Sequence, residues 1–436
     1  MLIYSEKISS RLKYSLKVIF NSVLKTEFRN TQDLEEFSAY NGAKINYSTE
    51  KIDGTISIAP HELLFEKDIF EQDIHLASWY DLPIFFKTGR KTVVPFDLFA
   101  ASFYLVSRYE EYLPFLPDDH GRFTPKESLA YQKGFLKWPL VNLWCQKFEG
   151  LISERYPQWK KSKKQFTFTS TIDVDNIFAY KAKGAFRTIG GIIKDVTSGD
   201  LHNLKERILC LLSQHNDPFY TFDYQLSLHR KYKVKSIYFM LFTEFARFDR
   251  NISMYHPKMK STVKHLGDYS SVGIHPSYQS NGKRQLLETE KATLENYLGK
   301  AISKSRQHFL KMTLPSTMRN LANLGIKEDF TMGYARDVGF RASICNAYPF
   351  YDLDLEVEMD LIVRPFAFMD MCYINYKNFT PEEAWDEMKE IISMVKSVDG
   401  ELMSVWHNRT FSEMEENWKG WNGVYEKMLI EVTSNQ

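Results

Sequence analysis

Cysteine and net charge are both scarce in this chain of 436 residues. The four cysteines are Cys145, Cys210, Cys345 and Cys372. Because none of them forms a paired spacing, the sequence argues against a disulfide framework and a thiolate zinc site, and favours a reducing compartment. The 56 basic and 55 acidic side chains nearly cancel, so no overall field attracts nucleic acid. We therefore expect no direct binding of polynucleotides.

Long hydrophobic runs are also missing, which excludes a membrane-spanning segment at the level of the sequence. No cleavage signal follows the apolar segment near the start, so we expect a cytoplasmic protein. Four apolar residues in that segment fall at helical spacing among basic residues: Leu12, Leu16, Ile19 and Val23. This pattern predicts a basic amphipathic helix, which we expect to pack on its own domain. Peripheral association with a membrane is the less favoured alternative.

An apolar content of 44% and this length favour two domains. We predict a mixed α/β accessory domain over residues 1–160, with strands at 54–60 and 82–86 and a helix within 95–113. A charged polar stretch at 156–165 then marks the boundary. The ion-pairing residues of the predicted helix, Arg108, Glu110 and Glu111, are interpreted as ordinary structural charges.

Residues 165–436 alternate short β-rich runs with helical stretches, which predicts an α/β domain with a parallel sheet, open or closed into a barrel. Candidate strands lie at 166–173, 234–242, 270–276, 305–310, 338–345, 357–368 and 401–408. Candidate helices lie at 286–302 and 381–398, and a helical insertion is expected at about 181–216.

Ionisable residues recur where several of these strands end. Asp173 and Asp175 end the first strand, His275 the third and His407 the last, while His308 lies late in the fourth. Because the carboxyl ends of parallel strands meet at one face, we expect the five side chains to converge there. Each residue alone has a structural explanation, as a cap, a turn residue or a satisfied histidine. Their joint placement favours a site.

The residue types divide naturally into roles. A catalytic zinc-type ion takes about three imidazole or carboxylate ligands, which Asp175, His275 and His308 could provide. Residues i and i+2 of an extended segment share a face, so Asp173 would lie beside the ion as a general base. His407 could protonate a leaving group. The set predicts a metal-assisted hydrolase.

Over residues 165–436 the chain resembles the polysaccharide deacetylases with the NodB homology domain, in a divergent Bacteroidetes-type subgroup with an extra N-terminal domain. The resemblance rests on "TIDVD" (171–175), "GIHPSY" (273–278), "SRQHF" (305–309), "MGYARDVGFRA" (332–342) and "SVWHN" (404–408). It implies a distorted (β/α) barrel and a divalent metal cofactor, with zinc as the expected ion.

The resemblance also implies roles for single residues. Asp173 matches the family's catalytic base, and Asp175 and His275 match metal ligands. Gln279 stands where the second motif has a further histidine, and glutamine is a poor zinc ligand, so His308 is expected to complete the set.

Five further roles are expected. Arg306 matches the arginine that holds the catalytic aspartate, and His407 matches the general acid. Arg341 and Asp370 lie near where the family places substrate-contacting groups. Trp406 could present its ring to a sugar, with core packing as the alternative.

The predicted function is therefore the metal-dependent removal of an acetyl group from an N-acetylated sugar or glycan precursor. Two alternatives stay open. One is a non-catalytic carbohydrate-binding protein on a degenerate site, because Gln279 replaces a histidine. The other is an amidohydrolase acting on a small non-sugar amide.

Overall fold

The chain alternates strands and helices, and the computed structural model describes residues 1–88, 92–414 and 416–434. Within these ranges the strands are β1 (Leu2–Ser5), β2 (Arg29–Thr31), β3 (Lys44–Tyr47), β4 (Ile56–Ile58), β5 (Ala77–Trp79), β6 (Leu82–Ile84), β7 (Thr167–Val174), β8 (Lys235–Leu241), β9 (Ser271–His275), β10 (Lys304–Ser305), β11 (Glu328–Asp329), β12 (Tyr348–Asp352), β13 (Val357–Val363), β14 (Phe368–Met369) and β15 (Glu401–His407). The α-helices are α1 (Ser10–Leu16), α2 (Leu34–Ala39), α3 (Leu98–Val106), α4 (Leu129–Gln132), α5 (Leu140–Arg155), α6 (Ala185–Thr197), α7 (Leu201–Leu211), α8 (Phe222–Lys231), α9 (Pro257–Tyr269), α10 (Arg284–Leu298), α11 (Ser316–Asn323), α12 (Pro381–Ser397) and α13 (Trp421–Thr433).

The largest sheet follows the order β12-β13-β11-β10-β9-β8-β7-β15-β14. All of its neighbouring strands run parallel except β12 and β13, which are antiparallel. The predicted α/β class with a mainly parallel sheet is therefore confirmed. Among the described residues no backbone pairing joins β12 to β14, so closure into a barrel stays a prediction.

A second sheet, built from residues near the start of the chain, has the order β2-β1-β3-β4 and is parallel throughout. Strands β5 and β6 form a separate antiparallel pair. One continuous hydrophobic cluster extends through both parts of the chain, from Ile3 to Val432. The boundary predicted near residue 160 stays a prediction.

The first amphipathic helix is buried. Its four apolar residues lie in α1 and in the π-helix Lys17–Val23, and none is more than 4% exposed. This helix therefore packs within the protein and offers no apolar stripe to a membrane. Within the described ranges, no helix combines the length and hydrophobicity needed to cross a bilayer.

Local sequence signals explain the most regular elements. Helix α12 begins with a capping box, in which Thr380 and Glu383 each bind the other's backbone N–H, and Pro381 stands at its first position. The helices predicted at 286–302 and 381–398, and the insertion at 181–216, are confirmed as α10, α12 and the pair α6–α7.

Three strand predictions are wrong at least in part. Residues 338–345 form no strand: Phe340 N–H binds Leu136 O at 2.8 Å, and Ser343 O accepts from Val141 N at 3.0 Å. This apolar segment is buried, and its backbone hydrogen bonds go to Leu136, before α5, and to Val141, in the first turn of α5, instead of to a neighbouring strand. The strands predicted at 305–310 and 357–368 end early, at Ser305 and Val363.

The register of the central strands places the predicted residues at one edge. Asp173 on β7 is the partner of His407 on β15. His275 on β9 is the partner of Leu241 on β8, at the same ends of the strands. The carboxyl ends of β7, β9 and β15 therefore present their polar side chains together.

Candidate active site

Three predicted metal ligands lie together at this edge. Suitable ligand atoms of Asp175, His275 and His308 are all within 4.8 Å of one another. Asp175 Oδ1 lies 3.5 Å from His275 Nε2 and 3.6 Å from His308 Nε2. All three residues are buried. The chain thus brings together a carboxylate and two imidazoles from β9, from the segment after β7 and from the turn after β10.

Hydrogen bonds fix the orientation of both imidazoles. His275 Nδ1 binds the backbone oxygen of Arg306, and His308 Nδ1 lies 2.8 Å from Asp249 Oδ1. When Nδ1–H donates to an oxygen, the neutral ring keeps a lone pair on Nε2. Both Nε2 atoms face Asp175, so both could bind a cation that Asp175 also binds.

The turn that carries His308 has an unusual backbone. Phe309 and Leu310, directly after it, have φ angles of 60° and 51°. This left-handed region is uncommon for side chains of their size. The tight turn ends β10 early and directs His308 inward, which explains why the predicted strand 305–310 stops at Ser305.

Asp173 lies beside the trio and is held by a buried arginine. Arg306 Nη1 donates to Asp173 Oδ1 at 2.8 Å, and Arg306 Nη2 donates to Thr171 Oγ1 at 2.8 Å. Arg306 is fully buried, with its guanidinium over the ring of Phe239. The second oxygen of Asp173 lies 3.8 Å from His275 Nε2. One carboxylate oxygen is therefore anchored while the other faces the cluster.

His407 approaches from the opposite side. Its Nε2 lies 3.7 Å from Asp175 Oδ2, and its Nδ1 lies 2.7 Å from Asp370 Oδ1. Asp370 is fully buried and also accepts from the backbone N–H of His407 at 2.8 Å and from Thr410 Oγ1 at 2.5 Å. Asp370 therefore orients the imidazole of His407.

The buried charges shift one another's pKa values. Burial opposes ionisation of Asp175, but the imidazoles of His308 and His407 hold its pKa well below its usual range. Burial also opposes protonation of His308, yet the carboxylates of Asp175 and Asp249 raise its pKa to about 9. The pKa of His407 is raised against burial by Asp370 and Asp175.

The residues fit a divalent cation. Asp175 Oδ1 is buried and has no hydrogen-bond partner in the described part of the chain. A buried carboxylate oxygen without a partner is costly unless a cation or proton satisfies it. One carboxylate and two imidazoles form a common donor set for catalytic zinc, which leaves a position open.

Gln279, Arg341 and Trp406 lie outside this cluster of contacts. The side chain of Gln279 is exposed, and its backbone N–H lies 3.4 Å from Asp249 Oδ2. Arg341 is buried in a two-bond ion pair with Glu111, at 2.8 and 2.6 Å. Trp406 is fully buried among aromatic rings, so it has no free face for a sugar. Arg341 is thus engaged in an ion pair and Trp406 in core packing, and the substrate roles expected for both stay predictions.

Two residues near the site were not predicted. Asp249 lies in an irregular segment between β8 and α9, where no local pattern points to a metal site. Arg409 Nη2 lies 3.6 Å from Asp175 Oδ2, and its Nε is buried without a hydrogen-bond partner in the described structure. Its position two residues after His407, at the end of a strand, was the available signal.

A family of unknown function (DUF7033) matches residues 1–157. A search of curated proteins finds no significant match. Among solved structures, a protein assigned as a polysaccharide deacetylase from Mycobacterium smegmatis aligns at 14% identity and TM-score 0.42, over 64% of this chain and 87% of its own. A Puue allantoinase aligns at 10% identity and TM-score 0.40, over 64% and 88%. A protein assigned as a polysaccharide deacetylase from Pseudomonas aeruginosa PAO1 aligns at 11% identity and TM-score 0.40, over 63% and 86%.

Proposed function

We propose that this protein is a metal-dependent hydrolase that removes an acetyl group from an N-acetylated sugar or glycan precursor. The observation that carries the proposal is the convergence of Asp175, His275 and His308, with an anchored carboxylate on one side and an anchored imidazole on the other. The sugar is inferred from the motif resemblance.

Asp175, His275 and His308 would hold the divalent cation, expected to be zinc, which supplies Lewis-acid polarisation of an acyl carbonyl when bound.

Asp173 is the proposed general base. Arg306 holds Asp173 Oδ1, so Oδ2 is free to take a proton from the attacking water. A buried guanidinium partner also keeps the carboxylate oriented toward the cluster, which preserves the geometry that proton transfer needs.

His407 is the proposed general acid. Its Nδ1 is bound to Asp370, so Nε2 is the nitrogen that faces the cluster and carries the transferable proton. Against burial, the carboxylates of Asp370 and Asp175 raise the pKa of His407, which favours its protonated form. Donation to the leaving nitrogen would complete cleavage of the amide bond.

The test is Asp173→Asn in zinc-loaded protein, with release of acetate measured on N-acetylhexosamine oligomers, nucleotide sugars and simple amides. Asparagine keeps an oxygen for Arg306 but cannot accept the proton, so we expect a loss of about 10²-fold or more in kcat with unchanged zinc content. His275→Ala is the matched variant and should lose zinc.

Other outcomes contradict the proposal in distinct ways. Glycan binding without zinc and without acetate release would identify a binding protein. Turnover of simple amides with none of acetylated sugars would identify the other amidohydrolase. Full activity of Asp173→Asn would remove this residue from the mechanism.

A further inference from the structure

The helical pair α6–α7 and its flanks, residues 181–216, carry an unusual concentration of exposed apolar side chains. They contain eight of the 23 large hydrophobic side chains that are exposed in the described structure. The eight are Phe186, Ile189, Ile193, Val196, Leu201, Ile208, Leu211 and Leu212. Phe186 is 94% exposed. We call this segment the insertion hairpin.

Four of these residues form a single stripe on α6. Phe186, Ile189, Ile193 and Val196 are separated by three, four and three positions, so they lie on one face of the helix. All four are more than half exposed. An apolar stripe of this kind on a helix normally packs against another surface.

The inner side of the insertion hairpin is polar instead. Asp195 is buried on α6 and pairs with Arg207 of α7 at 2.6 Å. Asp195 also accepts from Asn203 at 3.2 Å, and the guanidinium of Arg207 lies over the ring of Tyr180. Charged groups thus hold the two helices together while apolar groups face outward. This reverses the usual arrangement in water.

The net positive charge of the insertion hairpin favours an anionic partner. Residues 181–216 contain six basic and three acidic side chains, a net charge of +3, whereas the whole chain carries +1. The exposed lysines Lys194 and Lys205 lie on the two helices near the apolar residues. Exposed lysines on the same helices as the exposed apolar residues complement an anionic lipid surface. Two copies placed face to face would bring like charges together.

The insertion hairpin is anchored beside the candidate active site. Lys183 Nζ lies 3.1 Å from the side-chain oxygen of Asn176, the residue after Asp175. Arg187 donates to the backbone oxygens of Arg250 and Asn251 at 2.8 and 3.1 Å. The start of the insertion hairpin is therefore fixed next to the segments that follow β7 and β8.

We propose that the insertion hairpin docks on a membrane surface that contains anionic lipids. Its apolar stripe enters the boundary between headgroups and acyl chains, and its lysines contact the headgroups. Such binding lies in the interface and needs no membrane-spanning helix. The proposal does not depend on the hydrolase function.

The experiment is co-sedimentation of the 436-residue chain with vesicles of phosphatidylcholine plus phosphatidylglycerol, beside vesicles of phosphatidylcholine alone. We expect sedimentation with the anionic vesicles that weakens as salt is raised. The double variant Phe186→Ser, Ile193→Ser should lower the bound fraction at least about tenfold, because two apolar anchors are lost. The double variant Lys194→Glu, Lys205→Glu should lower binding to the anionic vesicles.

The matched control is Leu116→Ser with Leu355→Ser, which removes two exposed leucines elsewhere, 76% and 55% exposed, and should bind as the wild type does. Circular dichroism checks that each variant is folded. Failure of the wild type to sediment, or equal sedimentation of the Phe186→Ser, Ile193→Ser variant, would overturn the proposal. So would self-association by light scattering that this variant abolishes, if vesicles are not bound.

Discussion

Asp249 offers the sharpest test of the metal site, because the structure shows it bound to one proposed ligand, His308. Asp249 Oδ1 lies 2.8 Å from His308 Nδ1 and also accepts from the backbone N–H of Tyr278 at 2.8 Å. Asp249 is fully buried. Removing the partner of a metal-binding histidine typically lowers metal affinity 10- to 100-fold. That range corresponds to about 1.4–2.8 kcal/mol of binding free energy.

Two substitutions separate charge from orientation. Asp249→Asn keeps an oxygen for His308 and Tyr278 but removes the negative charge, so we expect a loss of zinc affinity of about tenfold. Asp249→Ala removes the acceptor as well, so the loss should approach about 100-fold. The alanine variant also removes the acceptor of the half-buried backbone N–H of Tyr278, which should cost about 1 kcal/mol of stability.

The assay is calorimetric titration of zinc into chelator-treated protein at constant pH. Asp352→Asn is the control. Asp352 lies on the outer strand β12, is as buried as Asp249 and pairs with Arg319 of α11. It should leave zinc affinity unchanged. Wild-type affinity in Asp249→Ala, or an equal loss in Asp352→Asn, would refute the assignment of His308 as a ligand.

Three further results are expected. Asp370→Asn removes the carboxylate that raises the pKa of His407 against burial, so the alkaline limb of the profile of kcat/KM against pH should move to lower pH. Arg341→Ala should lower the free energy of unfolding in urea by about 3 kcal/mol, while kcat/KM of the folded protein stays unchanged. This is the low end for breaking a buried ion pair, because Arg108 still pairs with the same carboxylate of Glu111. In metal-free protein the folded-state pKa of His308 is raised to about 9. Its stabilising contribution is therefore complete below about pH 6.5 and is lost as the pH rises through about 9, which urea unfolding across that range measures.

The predictable part of the fold is the part that local pattern determines. Strands β7, β8, β9 and β15 have short apolar runs bounded by polar residues, and each was predicted within a few residues. The buried segment 338–345 has the same apolar character but forms no strand. Its backbone forms hydrogen bonds with Leu136 and Val141, some 200 positions away, and no local pattern indicates such pairing.

The candidate site divides in the same way. Four site residues lie at the carboxyl ends of strands or directly after them, so topology alone predicted their meeting: Asp173, Asp175, His275 and His407. Asp249 lies in irregular structure, and its role depends on where a turn places His308. Glu111 was expected to form an ordinary ion pair and Arg341 to contact substrate. The two residues bind each other across 230 positions of the chain.

The placement of Gln279 favours a displaced ligand over a lost metal. Gln279 is exposed and contributes its backbone to Asp249, while His308, on a neighbouring turn, is buried with its Nε2 toward Asp175. In a site that binds no metal, an imidazole buried between two carboxylates would be destabilising, since such groups are costly to desolvate. An apolar residue at 308 would pack there at lower cost. A cation requires this set of donors, with the carboxylate of Asp249 bound to His308. A sugar-binding surface without a metal does not require it.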